Sequence, residues 1–152
     1  MDTEALIFGT GMLLREQIDA WATTDGGTPH VYPDYPPLDL EKVSYPRAAI
    51  DTIGADTTDQ DVEGSAYFQD VLLEVTVYST SSQLVNRLAD HVNQAILDHH
   101  DGTDSSGEPY LKRWHLEQPE GLSNLLTEKA DRGFTRYHKT RSFTFSTVST
   151  TS

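Results

Sequence analysis

The chain of 152 residues contains no cysteine. A disulfide framework, a thiolate zinc site and a cysteine nucleophile are therefore excluded. Long hydrophobic runs are missing too. The longest, Ala5 to Leu14, is interrupted by Gly9, Thr10 and Gly11 and is too short to span a bilayer. Asp2 and Glu4 stand where a secretory leader would be basic, so use in an aqueous compartment, away from membranes, is expected. There is no G-x-S-x-G elbow and no G-x-x-x-x-G-K-[ST] loop. Gly9-Thr10-Gly11 is too short for a dinucleotide fingerprint and falls inside a helical pattern. Positive charge is also scarce: 11 Lys and Arg against 24 Asp and Glu leave a net charge of −13. Such a surface repels phosphates, which weighs against simple nucleic-acid binding.

What remains is enough for one packed domain spanning 1–152, because the apolar 36% is gathered into periodic runs. Asp outnumbers Glu by 15 to 9, Arg outnumbers Lys, and Thr is abundant. This composition suits a halophilic source, where dense carboxylates hold water at the surface, better than an acidic face for a basic partner. The charge is uneven. Residues 1–111 hold 4 basic and 20 acidic side chains, and residues 112–152 hold 7 and 4. A bipolar chain suits head-to-tail contact between copies; pairing of the basic stretch with acids of its own subunit is the alternative, and both stay open.

Periodicity predicts the elements. Residues 3–22 read as an amphipathic helix with Ile7, Gly11, Leu14, Ile18 and Trp21 on one stripe and Thr3 or Asp2 as N-cap. Gly9 and Gly11 weaken it and mark close approach of another backbone. Residues 25–42, with Pro29, Pro33, Pro36 and Pro37, read as an extended connector packed on the core. Residues 43–52 and 66–78 read as strands around a polar loop at 53–65, which makes a long hairpin. A second helix is expected over 81–99, with Thr80 and Gln83 as a capping box and Leu84, Leu88, Val92 and Ile96 as its stripe. Alternation predicts a strand at 109–117. A connector at 118–133, able to hold a short helical turn at Gly121–Glu128, leads to a last strand at 134–148. The expected fold class is α+β, in the order α-β-β-α-β-β, with two helices on a small, mainly antiparallel sheet.

The sharpest chemical cluster is Asp98-His99-His100-Asp101 with Asp104 and Glu108. Such residues can hold a divalent metal whose bound water attacks a phosphoester, and a metal-dependent hydrolase is the less favoured reading. The spacing does not fit an EF-hand, and the cluster falls where a helix frays into a loop. Histidines there are favoured by the helix dipole without any function. No catalytic residue, cofactor or metal is therefore expected, and the chain reads as not an enzyme. Arg132, Arg136, Lys139 and Arg141, interleaved with Phe134 and Tyr137, resemble a nucleic-acid patch. Strand alternation splits them between two faces, so protein–protein contact is preferred. The candidate interface residues are Asp56, Asp59, Asp61 and Glu63 on the acidic loop and Arg132, Arg136, Lys139 and Arg141 on the basic stretch.

From Tyr45 to Ile96 the chain resembles the tail-terminator proteins of long-tailed bacteriophages and archaeal viruses. The resemblance starts with an aromatic-Pro step into a strand (Tyr45-Pro46-Arg47-Ala48-Ala49-Ile50) and a Gly-containing acidic loop (Gly54 to Gly64). It continues with the long strand Phe68 to Tyr78 and a polar turn into an amphipathic helix. An N-terminal helix and a final strand (Ser142-Phe143-Thr144-Phe145) complete the pattern. The resemblance implies a homo-oligomeric ring, expected to be a hexamer, at the head–tail junction of a virion made in the host cytoplasm. Its implied partners are the tail-tube protein and a head connector or stopper, with DNA passing through unbound. A stopper or a tube subunit is the alternative within the same machine, and a stand-alone halophilic binding module lies outside it.

Overall fold

A computed structural model describes residues 3–18, 31–32, 46–59, 66–129 and 135–150. Their elements run α1 (Thr3–Gln17), β1 (Val31–Tyr32), β2 (Arg47–Asp59), β3 (Ala66–Ser79), α2 (Ser82–His99), β4 (His115–Leu122), β5 (Leu126–Lys129) and β6 (Thr135–Thr150). The class is α+β, with both helices on one face of an open, mainly antiparallel sheet ordered β1-β2-β3-β6-β4. β5 pairs with β6 beyond the end of β4, so the two together line one edge of β6. No described helix is long and apolar enough to cross a membrane.

The period-two pattern of β3 decides which face is covered. Val71, Leu73, Val75 and Val77 are buried beneath the helices with Ala48 and Ile50 of β2 and Phe143 and Phe145 of β6. α2 lies over β3 and β6, and α1 lies over β1 and β2 and against α2. Full burial of each of the larger side chains is worth roughly 1.5–3 kcal/mol. On α2 the expected stripe appears, formed by Val85, Leu88, Ala89, Val92, Ala95 and Ile96 with Leu84 partly buried. On α1 the stripe is turned by about one residue from the sequence reading. Leu6, Thr10, Leu13 and Leu14 are buried with Gly11, while Ile7 is only partly so. Thr10 reaches the interior because its hydroxyl donates to the Leu6 carbonyl at 2.8 Å.

Several expected boundaries move. The α2 N-cap is Ser81, whose hydroxyl accepts from the Leu84 amide, rather than Thr80. β2 does not end at 52 but runs to Asp59. Pairing with β3 carries polar residues into the strand, and a bulge between Ile53 and Ala55 takes up Gly54. Residues 109–114 are not a strand: Tyr110, Leu111 and Trp114 are all buried in a turn, and Lys112 adopts a positive φ of 52°. The strand comes later, at 115–122, and 126–129 is a strand rather than a helical turn. The connector at 25–42 contributes the two-residue β1, parallel to β2. Residues 19–22, 43–45, 60–65 and 130–134, where parts of the other expected elements fall, lie outside the described residues.

Candidate functional site

Register separates the two charged groups. Asp56 is the Cα partner of Asp70, and Asp59 of Tyr67, so both stand toward the turn end of the β2–β3 hairpin. His138, Lys139 and Arg141 pair with Tyr78, Val77 and Val75, toward the other end of β3. The eight steps from Asp70 to Tyr78 span roughly 26 Å at about 3.3 Å per residue. Asp61, Glu63 and Arg132 lie outside the described residues. The sheet thus has an acidic and a basic end.

Two of the basic residues make contacts within the subunit. Arg141 donates to Asp90 on α2 at 2.7 Å and to the Ala89 carbonyl at 3.3 Å. Arg136 is only 2% exposed and stacks over the Tyr78 ring at 4.4 Å. Tyr78 also meets the His138 ring at 5.4 Å, and its register partner is Arg47, itself 1% exposed. The sequence reading missed this cluster, because arginine reads as a surface residue. The available signal was its place in alternating strands on the side opposite Val77. Lys139, half-buried, makes no such contact among the hydrogen bonds of the described residues.

The face of the sheet away from the helices is polar and carries like charges. Asp51 and Glu74 are directly paired across β2 and β3, a destabilising arrangement in dilute salt. Beside them Thr76 and Thr140 share a hydroxyl hydrogen bond of 2.9 Å. Glu120 accepts from Thr144 and Gln118, which holds its carboxyl below the usual range.

The histidine cluster disperses. Asp98 accepts from Gln94 on the outer face of α2. Asp104 closes its own turn, accepting from the Ser106 amide and hydroxyl and the Glu108 amide; these bonds, the Ser106 hydroxyl first, lower its pKa. His99 lines a cavity of about 460 Å³ between α1 and α2 with Gln17, Ile18, Leu88 and His91. His100 lines a different one of about 320 Å³ with Trp114 and His115. Among the described residues no three His, Asp or Glu side chains converge as metal ligands.

The loop after α2 is fastened to α1 instead. Glu16 accepts from the Tyr110 hydroxyl at 2.7 Å and from the Ser105 amide at 3.1 Å, while Gln17 donates to the same phenol at 3.2 Å. Burial, more than these contacts, raises the Tyr110 pKa. Large apolar side chains stand exposed on four elements or edges among the described residues: Phe8 and Met12 on α1, Ile53 on β2, Leu97 on α2, and Leu122 and Leu126 on the β4–β5 edge.

No protein-family model matches the chain, and no curated protein matches it. Among solved structures it is similar to a chain from the virion of a native gene transfer agent (GTA) particle. The identity is 17% and the TM-score 0.37, over 90% of this chain and 92% of that one. At that score the likeness is loose, and the fold assignment rests on this chain's own sheet and helices.

Proposed function

We propose that this chain is a structural subunit of a virion, which closes the viral tail tube as a ring of its own copies. In that place it stops tube polymerisation and joins the tail to the head connector. The observation that carries this reading is the open sheet. No described strand pairs with the outer side of β1 or of β4–β5, and unpaired edges invite a neighbouring chain. The separation of acidic from basic ends adds the two unlike patches that a cyclic contact needs.

In this reading Asp56, Asp59, Asp61 and Glu63 of one copy are the acidic partners, and Arg132 and Lys139 of the next are the basic ones. Arg136 and Arg141, engaged within the subunit, shape that basic end rather than bridge it. The acidic surface suits assembly in concentrated salt, as in a halophilic archaeal virus, and lets DNA pass without sticking. The test is tube growth. Added to polymerising tube protein from the same virus, the chain is expected to arrest elongation while staying only at tube ends. Incorporation along the tube would instead make it a tube subunit, and uninhibited growth would remove the reading.

A further inference from the structure

The β2–β3 hairpin is held unequally along its length. In its first half β2 is secured twice: β1 pairs with Ala48 and Ala49, and Ala48 and Ile50 are buried in the core. Beyond the bulge between Ile53 and Ala55, the arm 55–59 pairs with β3 alone among the described residues. Ala55 is the only apolar residue in this arm, which continues as Asp56, Thr57, Thr58 and Asp59. The part of β3 opposite it is anchored on its other side, where Ala66 to Val71 pair with Thr150 to Phe145 of β6. The arm is therefore the piece that can part from the sheet without dismantling it.

Its ladder also works against it. Asp56 stands directly opposite Asp70, as Asp51 stands opposite Glu74 on the near side of the bulge. Asp70 and Glu74 are an even number of residues apart and share the helix-free face, so two like-charged pairs flank the bulge. Directly opposed side chains in a ladder are about 5 Å apart. The Debye length is about 30 Å at 0.01 M salt, where the repulsion acts in full, and about 3 Å at 1 M, where the pair is screened. Asp70 Oδ1 and Gln69 Oε1 are moreover buried and accept no hydrogen bond. They belong to the two β3 residues in register with Asp56 and Thr57. A buried acceptor left unpaired favours an opening that readmits water.

We infer that the arm 55–59 is a salt-operated strap. It opens from β3 at the bulge in dilute salt and closes in concentrated salt, while the pairing of β3 with β6 stays intact. Asp56 and Asp59 ride on the arm, so ionic strength controls how these acids are presented to a neighbour. The inference does not depend on the ring reading.

Amide hydrogen exchange at fixed pH, read residue by residue between about 0.01 M and about 1 M salt, tests it. The ladder amides of 55–59 are expected to gain protection roughly two- to fivefold relative to those between β3 and β6. Asp56→Asn is expected to give that gain already in dilute salt and to reduce the remaining salt response. Asp70→Asn should do the same, and it takes the place of the first variant if that does not fold. Arm amides whose exchange ignores salt, or whose salt response survives both substitutions unchanged, overturn the inference. So does protection that rises only with the native mass recorded on the same samples, because assembly rather than screening would then close the arm. The readout is internal to one subunit, so the ring reading stands or falls separately.

Discussion

Gly9 of α1 packs directly against the main-chain carbonyl of Tyr110: a β-carbon built on Gly9 would overlap that oxygen, with the Tyr110 carbonyl carbon and a Leu111 methyl close behind. The obstacle is backbone, held in place by the Glu16 and Gln17 contacts to the Tyr110 ring, so it cannot move aside cheaply. Gly9→Ala gains about 1 kcal/mol of helix propensity. It is nevertheless expected to lower stability, because overpacking of this kind costs roughly 1–3 kcal/mol. Denaturant unfolding should show a lower midpoint at unchanged slope.

The stacking of Arg136 on Tyr78 makes a second prediction. A desolvated cation over an aromatic ring is worth about 2 kcal/mol or more, and the arginine stem adds packing. Arg136→Ala is expected to lose at least about 2 kcal/mol in the same unfolding experiment. Asp90→Ala, which removes the exposed partner of Arg141, should cost no more than about 1 kcal/mol. Equal effects would contradict the assignment of Arg136 to the interior.

The direct pairing of Asp51 with Glu74 predicts an unusual gain from neutralisation. Asp51→Asn is expected to raise stability in dilute salt by roughly 0.2–1 kcal/mol. The gain should vanish in molar salt, where the Debye length falls to about 3 Å. Thermal unfolding across a salt series checks both statements, and a gain independent of salt would argue against cross-strand repulsion.

Acid is expected to loosen the loop after α2. The folded-state pKa of Asp104 lies below its ordinary value of 3.8, chiefly through the Ser106 hydroxyl. The carboxylate's contribution is therefore complete above that value and disappears as the pH falls through the lowered folded pKa. Below pH 4, exchange of the Ser106 and Glu108 amides, both bonded to Asp104, is expected to lose protection relative to amides in β3. Asp104→Asn should abolish this difference in acid response.

The parts of the fold legible in the sequence are those where packing repeats. Val71, Leu73, Val75 and Val77 alternate because one face of β3 is covered, and the α2 stripe recurs because one side of that helix is. Gly9 was readable as a point of close approach because glycine inside an amphipathic pattern is costly without one. β4 and β5 were illegible because an edge strand packs little: nearly all their described side chains are exposed, and Pro119 reads as a breaker. The 53–59 part of β2 was hidden by polar composition that only its pairing with β3 overrides. The alternation of Tyr110, Lys112 and Trp114 misled because two buried aromatics four residues apart in a turn segment imitate a strand face. Of the candidate site, charge separation was visible in the sequence. The engagement of Arg136 and Arg141 was not, since Tyr78 and Asp90 are distant along the chain.

The most direct test of the central claim is the native mass of the full chain in molar salt over a wide concentration range. A closed ring predicts one species of fixed subunit number, expected to be six, that neither grows on concentration nor forms open stacks. A monomer at every concentration, or a continuous ladder of growing polymers, would contradict it.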